Sequence, residues 1–338
     1  MIEEALHILT EGGNLSREQA ARAMQILMTG EATPAQVGAF LVALRIKGET
    51  PDEITGLAET MRSLATRVTT SRRPLVDTCG TGGDHSGTFN ISTTAAFVVA
   101  GAGVAVAKHG NRSATSLCGS ADVLEALGVN IDADAACVGK CIDDIGIGFL
   151  FARSLHGAMK NVAAIRRELR VRTVFNLLGP LTNPAEACGQ VMGVFKRELV
   201  RPIAQVLANL GTRHAFVVAG SDGLDELTLT GTSQVAEALK GEVKAYELDP
   251  RELGLDLVER ESLKGGDAQC NAEILLNVLG GESGPRRDIV LLNAAAGILA
   301  GEGATDWPSA VEVARASIDS GAAKAKLDRL VRASRELA

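Results

Sequence analysis

The chain has 338 residues, enough for one large or two modest domains, and 46% of them are apolar, which excludes a disordered polymer. A formal net charge of −7 gives no general attraction to nucleic acid, so any site for an anion must be built locally. No apolar run approaches the ~20 residues of a membrane span, and the acidic start Met1-Ile2-Glu3-Glu4-Ala5 lacks the pattern of a signal peptide, so a cytoplasmic location is expected. The six cysteines (Cys79, Cys118, Cys137, Cys141, Cys188, Cys270) form neither a CxxC pair nor a zinc spacing and read as free thiols.

Residues 1–72 read as short helices. Ser16-Arg17-Glu18-Gln19, Thr33-Pro34-Ala35-Gln36 and Thr50-Pro51-Asp52-Glu53 each match a capping box, two of them with Pro at the first helical position. Gly30 and Gly48 stand where the preceding helices should stop. From residue 73 to 338 the pattern changes. A short strand ends at Val76-Asp77, and an apolar helix is predicted over 93–102. A second strand covers Val104 to Ala107, and a helix from Ala121 to Leu127 ends at Gly128. Further strands are predicted at Gly148–Phe151, Gln190–Val194, Ala215–Ala219 and Ile289–Leu292. Strands separated by helix-length segments indicate an α/β domain with a mostly parallel sheet. Residues 160–184 look helical, then turn-rich, and are expected to complete the N-terminal helical domain.

Asp77-Thr78-Cys79-Gly80-Thr81-Gly82-Gly83-Asp84 is the densest functional signal. Three glycines in four residues bring bare N–H groups close to a ligand, and the Asn90-Ile91-Ser92-Thr93 run is expected to cap a helix aimed at the same place. The loop is no Walker A motif, and His85 occupies the third glycine position of the dinucleotide fingerprint. A tight structural turn is the plain alternative; the position at a strand end argues for a ligand. Cys79 fits there as a small side chain, with no histidine spaced to activate it. Lys108-His109-Gly110-Asn111-Arg112-Ser113 is expected to follow the next strand, with Lys108 as a point charge for phosphate and Asn111 as donor and acceptor. Ser116 to Ser120 adds hydroxyls. Asp222-Gly223-Leu224-Asp225-Glu226 supplies paired carboxylates that suit Mg²⁺ beside a polyphosphate, although alone it reads as an acidic turn. On the helix from Met159 to Leu169, Arg166 is placed to pair with a carboxylate, whereas Arg167 and Arg170 read as surface charges. Asn176 to Pro184 is a rigid apolar turn suited to walling a pocket.

Together, DTCGTGGD at Asp77–Asp84, NIST at Asn90–Thr93, KHGNR at Lys108–Arg112, NLLGPLTNP at Asn176–Pro184 and DGLDE at Asp222–Glu226 resemble the anthranilate phosphoribosyltransferase family of the tryptophan pathway. The resemblance spans nearly the whole chain. It implies a small α-helical domain joined to a larger α/β domain of the nucleoside phosphorylase/phosphoribosyltransferase kind, a homodimer through the helical part, and Mg²⁺, two per subunit. It implies transfer of phosphoribose from phosphoribosyl pyrophosphate to the amine of anthranilate, releasing pyrophosphate. It places phosphoribosyl pyrophosphate on Gly80, Gly83, Asp84, Thr88, Asn90, Ile91, Ser92 and Thr93. The same site continues through Lys108, His109, Gly110, Asn111, Arg112, Ser113, Ala114, Thr115, Ser116 and Ser120. Anthranilate falls to Gly80, His109, Asn111, Arg166 and Pro180, the metal to Ser92, Asp225 and Glu226, and the catalytic roles to Lys108, Asn111 and Arg166. Two departures border the site: Ala219-Gly220 where the family often has His-Gly, and His156-Gly157-Ala158 where it often has His-Pro-Ala. A pyrimidine nucleoside phosphorylase and a non-catalytic nucleic-acid-binding paralogue are the rival readings. The DGLDE carboxylates oppose the first and the negative charge opposes the second.

Overall fold

The computed structural model describes residues 2–113 and 116–336. Four helices come first: α1 (Ile2–Thr10), α2 (Arg17–Thr29), α3 (Pro34–Lys47) and α4 (Pro51–Leu64). Ser16, Thr33 and Thr50 each accept the N3 backbone N–H while the N3 side chain returns to the cap, so all three capping boxes form as read. Gly30 ends α2 in the left-handed region, and Gly48 ends α3. Glu53 of the third box is fully buried and accepts from Leu15 N, Thr50 N and Lys47 Nζ. It therefore ties the turn before α2 to the turn before α4.

The second part runs β1 (Leu75–Gly80), α5 (Ile91–Gly101), β2 (Ala105–Gly110), α6 (Ser120–Ala126), α7 (Ala135–Ile145), β3 (Ile147–Phe151), α8 (Ala152–Leu155), α9 (Lys160–Leu169), α10 (Phe175–Leu178), β4 (Gly189–Gly193), α11 (Val200–Asn209), β5 (His214–Gly220), β6 (Ser233–Leu239), β7 (Glu242–Leu248), α12 (Ala268–Leu279), α13 (Pro285–Ala300), α14 (Trp307–Asp319) and α15 (Ala322–Glu336). The seven-stranded sheet has the order β3-β2-β1-β4-β5-β6-β7. The first five strands in that order are parallel, and β6 and β7 are antiparallel additions. Chain order reverses between β1 and β4, so the crevice beyond their C-terminal ends is where an open α/β sheet takes ligands.

Alternate residues of each strand feed two cores. Val191, Phe216, Val218 and Val235 pack with α5, α13 and α15. Met192, Ala215, Val217, Ala219, Ala236 and Ala238 pack with α11 and with α2, α3 and α4. Val162 of α9 and Phe175, Leu177 and Leu178 of α10 enter this second core, so residues 160–184 pack with the N-terminal helices.

Three expectations are corrected, and one element is added. Ile289–Leu292 is no strand; it lies in α13, a helix buried on every side. A helix apolar all round shows no period, and its readable start was Pro285 at the first helical position. β1 continues through Gly80 and β2 through Gly110, so Lys108, His109 and Gly110 are strand residues; they pair in parallel with Phe149, Leu150 and Phe151. The hairpin β6–β7, turning at Lys240 and Gly241 with positive φ, went unread. Asn90 precedes α5 without capping it: its amide donates to Cys118 O and its oxygen accepts from Asn271 Nδ2.

Candidate active site

Gly80 at the end of β1 sits opposite Gly193 at the end of β4. Both are bare for the same reason. A Cβ on Gly80 would come 2.5 Å from the Asp225 carboxylate, and one on Gly193 would run into the Asp225 carbonyl. The acidic loop after β5 thus lies directly over the two central strand ends. The chain then turns through Gly82 and Gly83, both at positive φ, and the Gly82 N–H donates to Asp225 Oδ2 at 2.7 Å.

Beneath this loop lies a buried polar floor. Asp77 is fully buried; it accepts from His109 N at 3.0 Å and from Asn183 Nδ2 at 2.8 Å. Burial pushes its carboxyl up, while the Lys108 cation opposes that rise. Lys108 is 3% exposed and donates from Nζ to Thr78 O at 2.5 Å. Burial lowers its pKa, and the Asp77 and Glu226 carboxylates oppose that fall. His109 and His156 meet Nε2 to Nε2 at 3.3 Å. Burial holds them down at about 3 and about 4, so both rings are neutral at pH 7. The Cys79 thiol is buried and raised far from ionisation, in contact with Gln190, which excludes a ready thiolate.

Three carboxylates crowd the next part of the crevice. The Asp225 N–H lies 3.4 Å from Asp84 Oδ2, and Glu226 Oε1 accepts the Ser92 N–H at 3.1 Å. Burial raises Asp225 well above the usual range, and Asp84 and Glu226 add to the rise. Burial takes Glu226 up to about 7, against the pull of Lys108 and Ser92. Among the described residues no three His, Cys, Asp or Glu side chains are arranged to hold a metal ion by themselves. The donors are all oxygen, and Mg²⁺ needs only one or two carboxylates when a substrate supplies the rest. Crowded, half-buried carboxylates are eased by such a cation, so this donor set fits it.

The opposite wall comes from the helical side. Arg166 on α9 is half-buried and lies over the Phe175 ring, 4.8 Å from its centroid. Arg172 stacks on Phe195 at 4.0 Å and donates to the Gly83 carbonyl, while its own carbonyl accepts from Arg45 of α3. It therefore links the helical bundle to the glycine loop.

A cavity of about 680 Å³ joins these walls. It is lined by Gly80, Gly83, Asp84, Thr88, Asn90, Ile91, Ser92, Thr93, Lys108, His109, Gly110, Asn111, Arg112, Ser113, Ser116, Ser120, Arg166, Pro180, Asp225 and Glu226. Ala114 and Thr115 lie outside the described residues. Arg112 borders the cavity with its guanidinium paired to Asp122 and Glu125 and its N–H donated to Asn111 Oδ1. Arg167 and Arg170 are exposed. Sequence reasoning missed Arg172 and Asn271, both lining residues, and the Asp77–Asn183 support. Asn271 shows itself only as a polar residue on the buried face of α12.

A helical bundle closing a polar crevice at the switch point of a mostly parallel sheet defines a two-domain glycosyl transferase. Residues 3–65 match the glycosyl transferase family helical bundle domain and residues 72–324 its a/b domain. An anthranilate phosphoribosyltransferase of Symbiobacterium thermophilum is 58% identical over 96% of this chain and 95% of its own. The crystal structure of that enzyme from Thermus thermophilus is 48% identical over 98% of this chain and 99% of its own, with a TM-score of 0.94. The enzyme from Saccharomyces cerevisiae, solved in complex with PRPP and Mg, is 29% identical over 99% of this chain and 98% of its own, with a TM-score of 0.90. The chain belongs to the anthranilate phosphoribosyltransferase family, and it is an enzyme.

Proposed function

We propose that this crevice transfers phosphoribose from phosphoribosyl pyrophosphate to the anthranilate amine, with the two substrates held by opposite walls. The observation that carries this reading is the convergence of glycine loop, Lys108 and paired carboxylates on one side of a cavity whose other side presents Arg166. The amine nitrogen attacks ribose C1 as the bond from C1 to the pyrophosphate oxygen breaks. Pyrophosphate leaves with the electron pair, and the nitrogen loses its proton to solvent.

The chain's residues divide this work. Backbone N–H groups of the glycine loop and of the start of α5, with the Lys108 charge, stabilise the leaving oxygens. Asp225, Glu226 and Ser92 would hold Mg²⁺, and two ions per subunit is our reading for an acidic pair facing a diphosphate. When bound, Mg²⁺ supplies charge neutralisation to the leaving group. Gly80, Gly83, Asp84, Thr88, Asn90 to Thr93, Lys108 to Ser113, Ser116 and Ser120 would enclose the sugar phosphate. Arg166 takes the ring carboxylate; burial disfavours its charge while unpaired, and a bound anion relieves this. Gly80, His109, Asn111 and Pro180 frame the ring. An aromatic amine is a neutral nucleophile at pH 7, so the neutral His109 and His156 need not act as bases, and positioning supplies the remainder.

Residues 1–72 with 160–184 form the helical domain in this reading and residues 73–338 the α/β domain. The working form is a homodimer through the helical domain, where Ile46 stands 79% exposed on α3. Phosphoribosyl pyrophosphate is too charged to cross a bilayer, which favours action in the cytoplasm where it is made. Loss of anthranilate fluorescence should require the protein, phosphoribosyl pyrophosphate and Mg²⁺ together. Phosphate-dependent nucleoside cleavage without anthranilate loss would replace this reading with a phosphorylase.

A further inference from the structure

The backbone that carries Asp225 and Glu226 is held at both ends by residues outside the cavity lining. On the near side, Asp222 accepts from Leu224 N at 3.2 Å, Thr228 Oγ1 at 3.1 Å and Thr230 Oγ1 at 2.8 Å, knotting the loop on itself. On the far side stands Asn293, a buried polar residue in the apolar stretch 289–300 of α13. Its Oδ1 accepts the Leu227 N–H at 3.0 Å, and its Nδ2 donates to the Leu227 carbonyl at 2.9 Å. The second Nδ2 proton goes to Ile289 O in its own helix, at 2.9 Å. Every strong hydrogen-bonding position of the amide but one lone pair is therefore used, and two of the three bonds grip the single residue that follows Glu226.

The grip matters because of what α13 touches. This helix packs on β1, β4 and β5, the strands whose ends form the crevice floor. Leu227 is fully buried, so its backbone N–H and carbonyl have no water to replace Asn293. A leucine or alanine at 293 would fill an apolar helix equally well; only a side-chain amide meets a backbone N–H and carbonyl at once.

We propose that Asn293 is a positioning residue for the reaction: it fixes the Leu227 peptide from the central helix and so sets where the Asp225 and Glu226 carboxylates stand. The inference rests on the reading of those carboxylates as the metal-facing pair. Outer supports of metal ligands typically change affinity by about 10- to 100-fold when removed, and the lower figure is expected for a support acting through the backbone.

Hydrogen exchange and calorimetry on Asn293→Ala test it. Exchange should quicken in the peptide spanning 222–230, and Mg²⁺-dependent binding of phosphoribosyl pyrophosphate should weaken about 10-fold. The KM for anthranilate should stay within about twofold, since no contact to Arg166 is touched. Asn293→Ser serves the same test should the alanine variant not fold. Its hydroxyl bonds the Ile289 carbonyl of its own helix but does not span to Leu227. A folded variant with a lower melting temperature but unchanged exchange at 222–230 and unchanged Mg²⁺-dependent binding overturns the inference. Asp225→Asn with Glu226→Gln, titrated in parallel, separates the two layers. If that double variant also leaves Mg²⁺-dependent binding unchanged, the metal reading falls and this inference with it. If it alone shifts binding, only the role of Asn293 falls.

Discussion

The two walls of the crevice are built in different ways. On the sheet side, Asp77 and Lys108 are buried and Asp225 and Glu226 half-buried, and each is fixed by partners from other strands or loops. On the helical side, Arg166 stacks on Phe175, and Arg172 stacks on Phe195 with a single side-chain hydrogen bond, to the Gly83 carbonyl. The first wall is rigid and electrostatically crowded until a cation and an anion arrive; the second is adaptable and lightly held. A wall of the first kind suits a diphosphate whose charge must be met at fixed points. A wall of the second kind suits a flat aromatic acid that needs one charge and a face.

Damage to the rigid wall should be the most severe. Gly193→Ala forces a methyl against the Asp225 carbonyl. Turnover should fall about 100-fold or more, and stability by about 1–3 kcal/mol, read by kinetics and urea unfolding. A variant with normal turnover would show that this wall gives way easily. Asp225→Asn with Glu226→Gln should raise the Mg²⁺ needed for half-maximal rate by about 10- to 100-fold. Arg172→Ala removes a charged bond to the Gly83 carbonyl and should raise the KM for phosphoribosyl pyrophosphate about 10-fold with kcat less affected. An equal effect on anthranilate would show that Arg172 serves its own wall as much as the glycine loop.

The last effect concerns acid and leaves turnover at pH 7 untouched. His109 and His156 are lowered to about 3 and about 4. Below pH 6.5 the unfolded chain therefore takes up protons that the folded chain refuses. Their contribution to stability is flat above pH 6.5 and falls as the pH drops towards 4, by about 1.4 kcal/mol per pH unit for each ring. The melting temperature should fall over that window, and His156→Asn should flatten the slope. A slope unchanged in the variant would mean the rings are already free to protonate.

How much of this was legible in the sequence follows from range. Capping boxes at Ser16, Thr33 and Thr50 are four-residue devices, and they formed as read. Glycine clusters and the DGLDE run announce loops locally too. The strand ends were read short because Lys108 and His109 look like loop residues until Asp77 and β3 are placed beside them. The segment Ile289–Leu292 gave no period because α13 is buried all round. Arg172 and Asn293 act on residues far away in sequence, Gly83 and Leu227, and nothing near them marks the partner.

The division of the substrates between the two walls is tested most directly by Arg166→Ala, with KM measured for both substrates at saturating Mg²⁺. The KM for anthranilate should rise about 10- to 100-fold, the worth of a hydrogen-bonded charge, while that for phosphoribosyl pyrophosphate stays within about twofold. Equal rises in both would contradict the account, because Arg166 would then serve the crevice as a whole and not the aromatic acid alone.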